Sequence, residues 1–180
     1  YNDFFIWISM SALKLIKQVN LSSTASSITV DNVFSSAYQN YKIVMENFTT
    51  SATGRSDIRF LDSSGTEITS NYQYGLRVKD SNGNNATLYS GSGAELRSCF
   101  TDTFNGAGGL SGYMNIGQPF ESSRNTTVSA ISNAGDSTAM RFAQYGGQLA
   151  QAISCRGFKY INSQTLNATG SIYVFGFSEV

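Results

Sequence analysis

The chain of 180 residues has 12 lysines and arginines against 12 aspartates and glutamates, so its formal net charge is zero. It contains no histidine, one proline and two cysteines. This composition argues against a basic nucleic-acid-binding surface and a disulfide-dense scaffold, and it lacks the side chain best suited to acid–base catalysis near neutral pH. Its 12 phenylalanines and 10 tyrosines indicate a folded core.

The first nine residues form an apolar segment that contains Phe4, Phe5, Ile6 and Trp7. The segment is too short to cross a bilayer, and no basic residue precedes it as in a signal peptide. We therefore expect an N-terminal arm or extension over residues 1–9 and a single domain over residues 10–180, with no membrane insertion. The arm could dock on a neighbouring subunit or pack on its own domain, and the sequence leaves both possibilities open.

In the first half of the domain, apolar residues alternate with polar ones or form short runs, as β-strands do. The predicted strands are Leu13–Val19, Ser27–Val30, Tyr41–Phe48, Asp57–Leu61 and Tyr72–Lys79. Turn residues separate them, and the strongest turn signal is the run from Asp62 to Gly65. The following segment, Ala94–Phe104, fits either a strand or one helical turn.

The second half continues the pattern. The predicted strands are Leu110–Ile116, Thr126–Ser132, Thr138–Tyr145, Arg156–Ile161 and Ser171–Phe177. The second and third of these are expected to form a hairpin around a four-residue loop, Asn133–Asp136. Gly146 and Gly147 are expected to end the hairpin, and the short segment Gln148–Ile153 has a weak helical pattern.

About ten strands at regular spacing, with turn clusters and no long helix, predict an all-β protein. The expected architecture is an antiparallel β-sandwich, jelly-roll-like, without repeats or linkers. Cys99 and Cys155 are expected to be buried thiols, with a single disulfide as the alternative.

The sequence has no pattern typical of a catalytic, cofactor-binding or metal-binding site. Asp57, Asp62 and Glu67 are close in sequence, but Asp62 belongs to a turn, and no base accompanies any serine as a nucleophile would need. A metal site is not expected without histidine or a Cys-x-x-Cys motif. We predict a protein that is not an enzyme and needs no cofactor.

Tyrosine offers a large contact area with a polar tip, which suits interfaces and sugar stacking. Tyr38, Tyr41, Tyr72 and Tyr74 lie near predicted strand starts, where some could be exposed. They are therefore interface candidates together with the arm residues Phe4, Phe5, Ile6 and Trp7. The alternative is that these tyrosines fill the core of a wide sandwich.

Several segments resemble small structural proteins of marine tailed bacteriophages, notably cyanophages. They are Met10–Lys17, Ile28–Phe34, Tyr38, Tyr41–Ile43, Arg59–Gly65, Tyr72–Tyr74, Gly157–Phe158 and Ile172–Phe177. The resemblance spans the chain from Met10 onward and consists of strand-and-turn patterns without catalytic residues. It implies a place on the virion exterior, as a capsid decoration or a fibre-like appendage.

The sequence thus predicts a non-enzymatic structural protein of a phage virion, displayed on the particle surface as a decoration protein or a compact tail-fibre knob. Its expected partners are other virion proteins and copies of itself, in a trimer, and a host surface glycan is a further candidate for a fibre tip. Nucleic acid is not expected as a partner. The alternative is a carbohydrate- or receptor-binding module of a secreted or cell-surface protein.

Overall fold

The computed structural model describes residues 12–83, 87–101, 104–105, 108–135, 138–167 and 169–178. These residues form eleven strands. In chain order they are β1 (Ala12–Asn20), β2 (Ala25–Val30), β3 (Asn40–Phe48), β4 (Ser56–Asp62), β5 (Tyr72–Asp80), β6 (Thr87–Gly93), β7 (Leu110–Gly117), β8 (Asn125–Gly135), β9 (Met140–Ala152), β10 (Cys155–Leu166) and β11 (Ser171–Ser178). None of the described residues forms a helix long and apolar enough to cross a membrane.

The strands form two antiparallel sheets of unequal size. The larger has eight strands in the order β1-β11-β3-β7-β8-β9-β5-β6, and the smaller has three in the order β2-β10-β4. Every pairing between these strands is antiparallel. The predicted class, an antiparallel, jelly-roll-like β-sandwich, is confirmed.

The core lies between the two sheets because alternate side chains of each strand point inward. On β3, Tyr41, Ile43 and Met45 are buried while the residues between them are at least partly exposed. Aromatic rings join the sheets, with Phe48 on the larger sheet 5.6 Å from Tyr160 on the smaller one, measured between ring centroids. The buried residues of β3 therefore mark the inward face of the larger sheet.

Strand β9 runs through the two glycines that were expected to end it. Gly146 pairs with Gly75 of β5, and Gly147 pairs with Tyr74, so the ladder continues without a break. A Cβ atom at Gly147 would come within 2.9 Å of the Gln73 carbonyl oxygen, which explains why glycine occupies this position. The predicted end of the strand was wrong, and the segment with a weak helical pattern is its continuation to Ala152.

Two other local predictions are also corrected, and one strand was missed. The β8–β9 hairpin is confirmed, but Gly135 pairs with Met140, so the connection is residues 136–139 and not Asn133–Asp136. Ala94–Phe104 holds neither a named strand nor a helix among its described residues, although Leu96 and Phe104 form isolated bridges with Ile58 and Gly54. Strand β6 was not predicted, because its glycine- and serine-rich sequence lacks apolar alternation.

Cys99 and Cys155 are both buried and both free, so the disulfide alternative is not adopted. Burial raises the pKa of the Cys155 thiol to about 12, and it also raises the pKa of the Cys99 thiol well above its ordinary value. Since the thiolate is the reactive species, we expect neither cysteine to react readily with Ellman's reagent in the native protein at pH 8. Both should react in guanidinium chloride. Rapid colour development from the native protein would contradict this burial.

Candidate assembly surface

Two of the predicted interface tyrosines are core residues. Tyr41 and Tyr72 are both fully buried, so neither side chain is available to a partner, and the interface assignment was wrong for these two residues. The Tyr72 hydroxyl accepts a hydrogen bond from the Phe60 amide (2.8 Å) and donates one to the Ile68 carbonyl (3.0 Å). The Tyr41 hydroxyl likewise bonds both backbone groups of Ser35. Burial raises the pKa of both tyrosines.

Tyr38 and Tyr74 are half-buried and pack against the edge of the core. The Tyr38 ring lies 5.8 Å from the Tyr41 ring and covers Gly176, where an added Cβ would come within 2.5 Å of it. The Tyr74 ring stacks on Tyr145 at 6.2 Å. Each of these tyrosines therefore has a structural contact, and only part of its surface remains for a partner. The other predicted interface residues, Phe4, Phe5, Ile6 and Trp7, lie outside the described residues.

A surface that the sequence did not single out lies at one end of the larger sheet. Leu13 and Leu15 of β1 point away from the core, and they are 51% and 49% exposed. Leu13 pairs with Phe177 and Leu15 with Phe175 on β11, so the four side chains share one outward face. Both phenylalanines are half-buried. We call these four residues the apolar corner.

The two leucines of the apolar corner lie on the outermost strand of the sheet, because β1 pairs only with β11 among the described strands. An exposed edge strand is normally protected against uncontrolled pairing by lysines and bulges. Strand β1 has both, with Lys14 and Lys17 in its sequence and a register shift between Leu15 and Lys17. These features disfavour extension of the sheet into a neighbour. The face of the strand, and not its edge, is therefore the part suited to stable contact.

The carboxylates considered for catalysis are held in ion pairs or turns. Asp57 is buried beside Arg55 at 2.8 Å, and Glu67 contacts Arg59 at 2.9 Å and Lys159 at 2.5 Å. Asp62 accepts hydrogen bonds from the backbone of Ser64 and of Thr66, as its turn sequence predicts. Among the described residues, no group of three or more Asp, Glu, Cys or His side chains is placed to hold a metal ion.

The ion pairs of Asp31 and Glu67 should make the protein less stable in acid. Arg156 binds Asp31 with two hydrogen bonds of 2.7 and 2.6 Å and lowers the pKa of that carboxyl, and Lys159 and Arg59 lower the pKa of Glu67. Since both pKa values are lower in the folded state, their stabilisation is present above the ordinary pKa and is lost as pH falls through the lowered values.

We therefore expect Glu67→Gln to cost about 1 kcal/mol or less at pH 7, because the pair is partly exposed. The same substitution should reduce the amount by which the free energy of unfolding falls between pH 5 and pH 2. This fall can be measured by urea unfolding at each pH. Glu46→Gln, at an exposed position of β3, serves as the comparison substitution. An unaltered pH profile for Glu67→Gln would contradict the assigned ion pairs.

No protein-family model matches this sequence, and the search of curated proteins found no match. Among solved structures, a prokaryotic β-1,3-1,4-glucanase (lichenase) derived from a mouse hindgut metagenome is 10% identical, with a TM-score of 0.29 over 85% of this chain and 69% of that chain. Porphyranase B from Zobellia galactanivorans is 8% identical, with a TM-score of 0.24 over 85% and 65% of the two chains. A structure of infectious bursal disease virus, Gt strain, is 8% identical, with a TM-score of 0.16 over 96% and 40%. Similarities this weak carry no argument about function.

Proposed function

We propose that this chain is a non-enzymatic structural protein of a bacteriophage virion, displayed on the particle surface and held there by subunit contacts. The observation that supports the proposal best is the apolar corner. Two leucines about half exposed, beside two half-buried phenylalanines on one face, form a surface that water solvates poorly. Contact with a copy of this chain or with another virion protein would bury it.

The charge distribution is consistent with dense packing of many copies. The formal net charge is zero, so neighbouring copies would not repel one another through a shared net charge. Around the corner itself, β3 contributes Asn40 and Lys42 opposite Phe177 and Phe175. A polar rim around an apolar centre is the usual organisation of protein interfaces.

The size of a stable interface indicates that the corner is one part of the contact. Such interfaces bury about 800 Å² on each partner, more than four partly exposed side chains can supply. The apolar arm precedes β1 directly in the chain, and Trp7 is six residues before Leu13. We propose that the arm and the corner together form the subunit contact, in a closed trimer.

The location on the virion is proposed from the resemblance to marine phage proteins. The absence of enzymatic activity is proposed from the composition and from the pairing of the carboxylates. The compact sandwich suits a capsid decoration or a fibre knob. The alternative is a carbohydrate- or receptor-binding module of a secreted or cell-surface protein, which would share the fold and the low charge.

Immunogold electron microscopy of candidate phage particles, with antibody raised against this chain, tests the proposal. Label over the shell would make the protein a decoration protein, and label at the tail would make it a fibre or receptor-binding part. Particles that carry no label, although the chain is produced in the infected cells, would overturn the virion proposal and favour the secreted module.

A further inference from the structure

A polar groove crosses the outer face of the larger sheet, from β7 to β6. Its floor is a line of small or polar residues that pair in register across five neighbouring strands: Asn115, Ser129, Gly146, Gly75 and Ser90. Two adjoining cavities, of about 450 and 230 Å³, lie along this line and share Gln144. With strands about 4.8 Å apart, five strands give a groove roughly 19 Å long.

The two walls of the groove differ in their hydrogen bonding. On one side Gln148 donates to Gln73 at 2.7 Å and accepts from Asn125 at 3.4 Å, so these amides are engaged with one another. On the other side the wall consists of Arg77, Gln144, Ile131 and Tyr113, which pair in register. Within the described part of the chain, the Arg77 and Gln144 side chains have no hydrogen-bond or ion-pair partner, and the same holds for Asn115 on the floor.

We propose that this groove binds an uncharged, extended saccharide. Sugar hydroxyls both donate and accept hydrogen bonds, and the amides of Gln144 on the wall and Asn115 on the floor offer both kinds of group within one cavity. The Ile131 side chain, and the part of the Tyr113 ring not covered by Lys42, whose Nζ lies 4.3 Å from the ring centroid, supply apolar surface beside them, which suits the carbon face of a sugar ring. Arg77 is the one charged residue that lines the two cavities, and a single exposed cation adds little to the binding of a charged ligand in water.

Other ligand classes fit the groove less well. Nucleic acid requires several cations along its backbone, whereas the two cavities together contain a single one, Arg77. An extended peptide commonly binds by adding a strand to an open sheet edge. The floor residues of β7, β8, β9 and β5 already pair on both sides, so no free backbone faces the groove there.

This inference goes beyond the proposed structural role and depends on different residues. The groove lies on β7, β8, β9, β5 and β6, whereas the apolar corner lies on β1 and β11, and β3 with Lys42 separates them. A virion knob that contacts a host glycan would use both surfaces. A substitution that abolishes binding at one of these surfaces should leave binding at the other surface intact.

A single substitution can fill the groove without disturbing the fold. A Cβ atom added at Gly146 meets no other atom within 4 Å, so Gly146→Leu would project into the groove without a clash. Gly93 offers a matched control, since a Cβ there is also free of contacts within 4 Å. Gly93 pairs with Tyr72, whose side chain points into the core. The leucine of the Gly93→Leu variant would therefore lie on the inner face of the sheet, away from the groove.

The experiment applies the full chain to a printed glycan array with neutral hexose and acidic uronic-acid oligosaccharides, and measures the best binder by titration calorimetry. We expect a neutral oligosaccharide to bind, and we expect Gly146→Leu to weaken it at least about tenfold, or about 1.4 kcal/mol. Gln144→Ala should also weaken binding, and Gly93→Leu should not. Circular dichroism should show all variants folded.

Failure to bind any oligosaccharide on the array would overturn the inference, as would unchanged affinity in a folded Gly146→Leu variant. Preferential binding of acidic oligosaccharides would also contradict it, because the proposal specifies an uncharged ligand. None of these results alters the test of the virion role, which depends on particle labelling. The two proposals can therefore fail separately.

Discussion

Replacing Leu13 and Leu15 together by aspartate is expected to convert the assembled protein to monomers. In the isolated chain both side chains are about half exposed, so the substitution should change the folding free energy of a subunit little, by about 0.5 kcal/mol or less per site. In an interface, however, two carboxylates would have to leave water beside Phe175 and Phe177, which is costly. We expect association to weaken at least about 100-fold, or about 2.8 kcal/mol, when measured by sedimentation velocity across a concentration series.

Met140 and Phe142 provide the matched control for this variant. They are 52% and 42% exposed, on strand β9 of the same sheet, and they lie away from β1 and β11. The double substitution Met140→Asp with Phe142→Asp introduces the same charge at similarly exposed apolar positions. It should leave association intact. If both double variants weaken association equally, the effect is one of net charge and the apolar corner is not the contact.

Replacing Tyr72 by phenylalanine is expected to destabilise the fold by about 1–3 kcal/mol without altering association. The substitution removes only the hydroxyl oxygen, but this oxygen pairs with both the Phe60 amide and the Ile68 carbonyl inside the core. Both backbone groups would lose a partner away from water, and unpaired buried polar groups carry the full desolvation penalty. Urea unfolding should show a lower midpoint at an unchanged slope.

Tyr173→Phe on β11 is the appropriate comparison. This side chain is half-buried on the outer face of the larger sheet, next to Val44 of β3, and loss of its hydroxyl should cost about 0.5 kcal/mol or less. The oligomer distribution of Tyr72→Phe should match that of the wild type. A variant that keeps its stability but loses association would return Tyr72 to the interface and contradict its assignment to the core.

The strands of the first half of the domain could be predicted because their apolar residues alternate. Tyr41, Ile43 and Met45 share one face of β3, and this periodicity already supported the core alternative for Tyr41. The exposed leucines were harder to recognise. Strand β1 contains apolar residues on both faces, and the register shift between Leu15 and Lys17 changes which positions face outward. Periodicity alone could not show that Leu15 and Leu13 lie opposite two phenylalanines, Phe175 and Phe177, that are 160 and 164 residues later in the chain.

The groove could not be predicted because it depends on how five strands align. Gly75 and Gly146 are far apart in sequence, and glycine in a strand usually indicates a bulge or an end. Here the two pair directly between β9 and β5, near one end of the sheet, with strands on both sides maintaining the ladder. Long-range pairing overrode the local preference, and the same effect extended β9 beyond its predicted end.

The claim that the apolar corner is buried between subunits can be tested by labelling introduced cysteines with a maleimide. The two native cysteines are buried, so Leu15→Cys and Met140→Cys would each provide one accessible thiol at a position about half exposed in the isolated chain. In the assembled protein we expect Leu15→Cys to react much more slowly than Met140→Cys, and in dilute monomer we expect the two to react alike. Equal rates in the protein at high concentration would contradict the account.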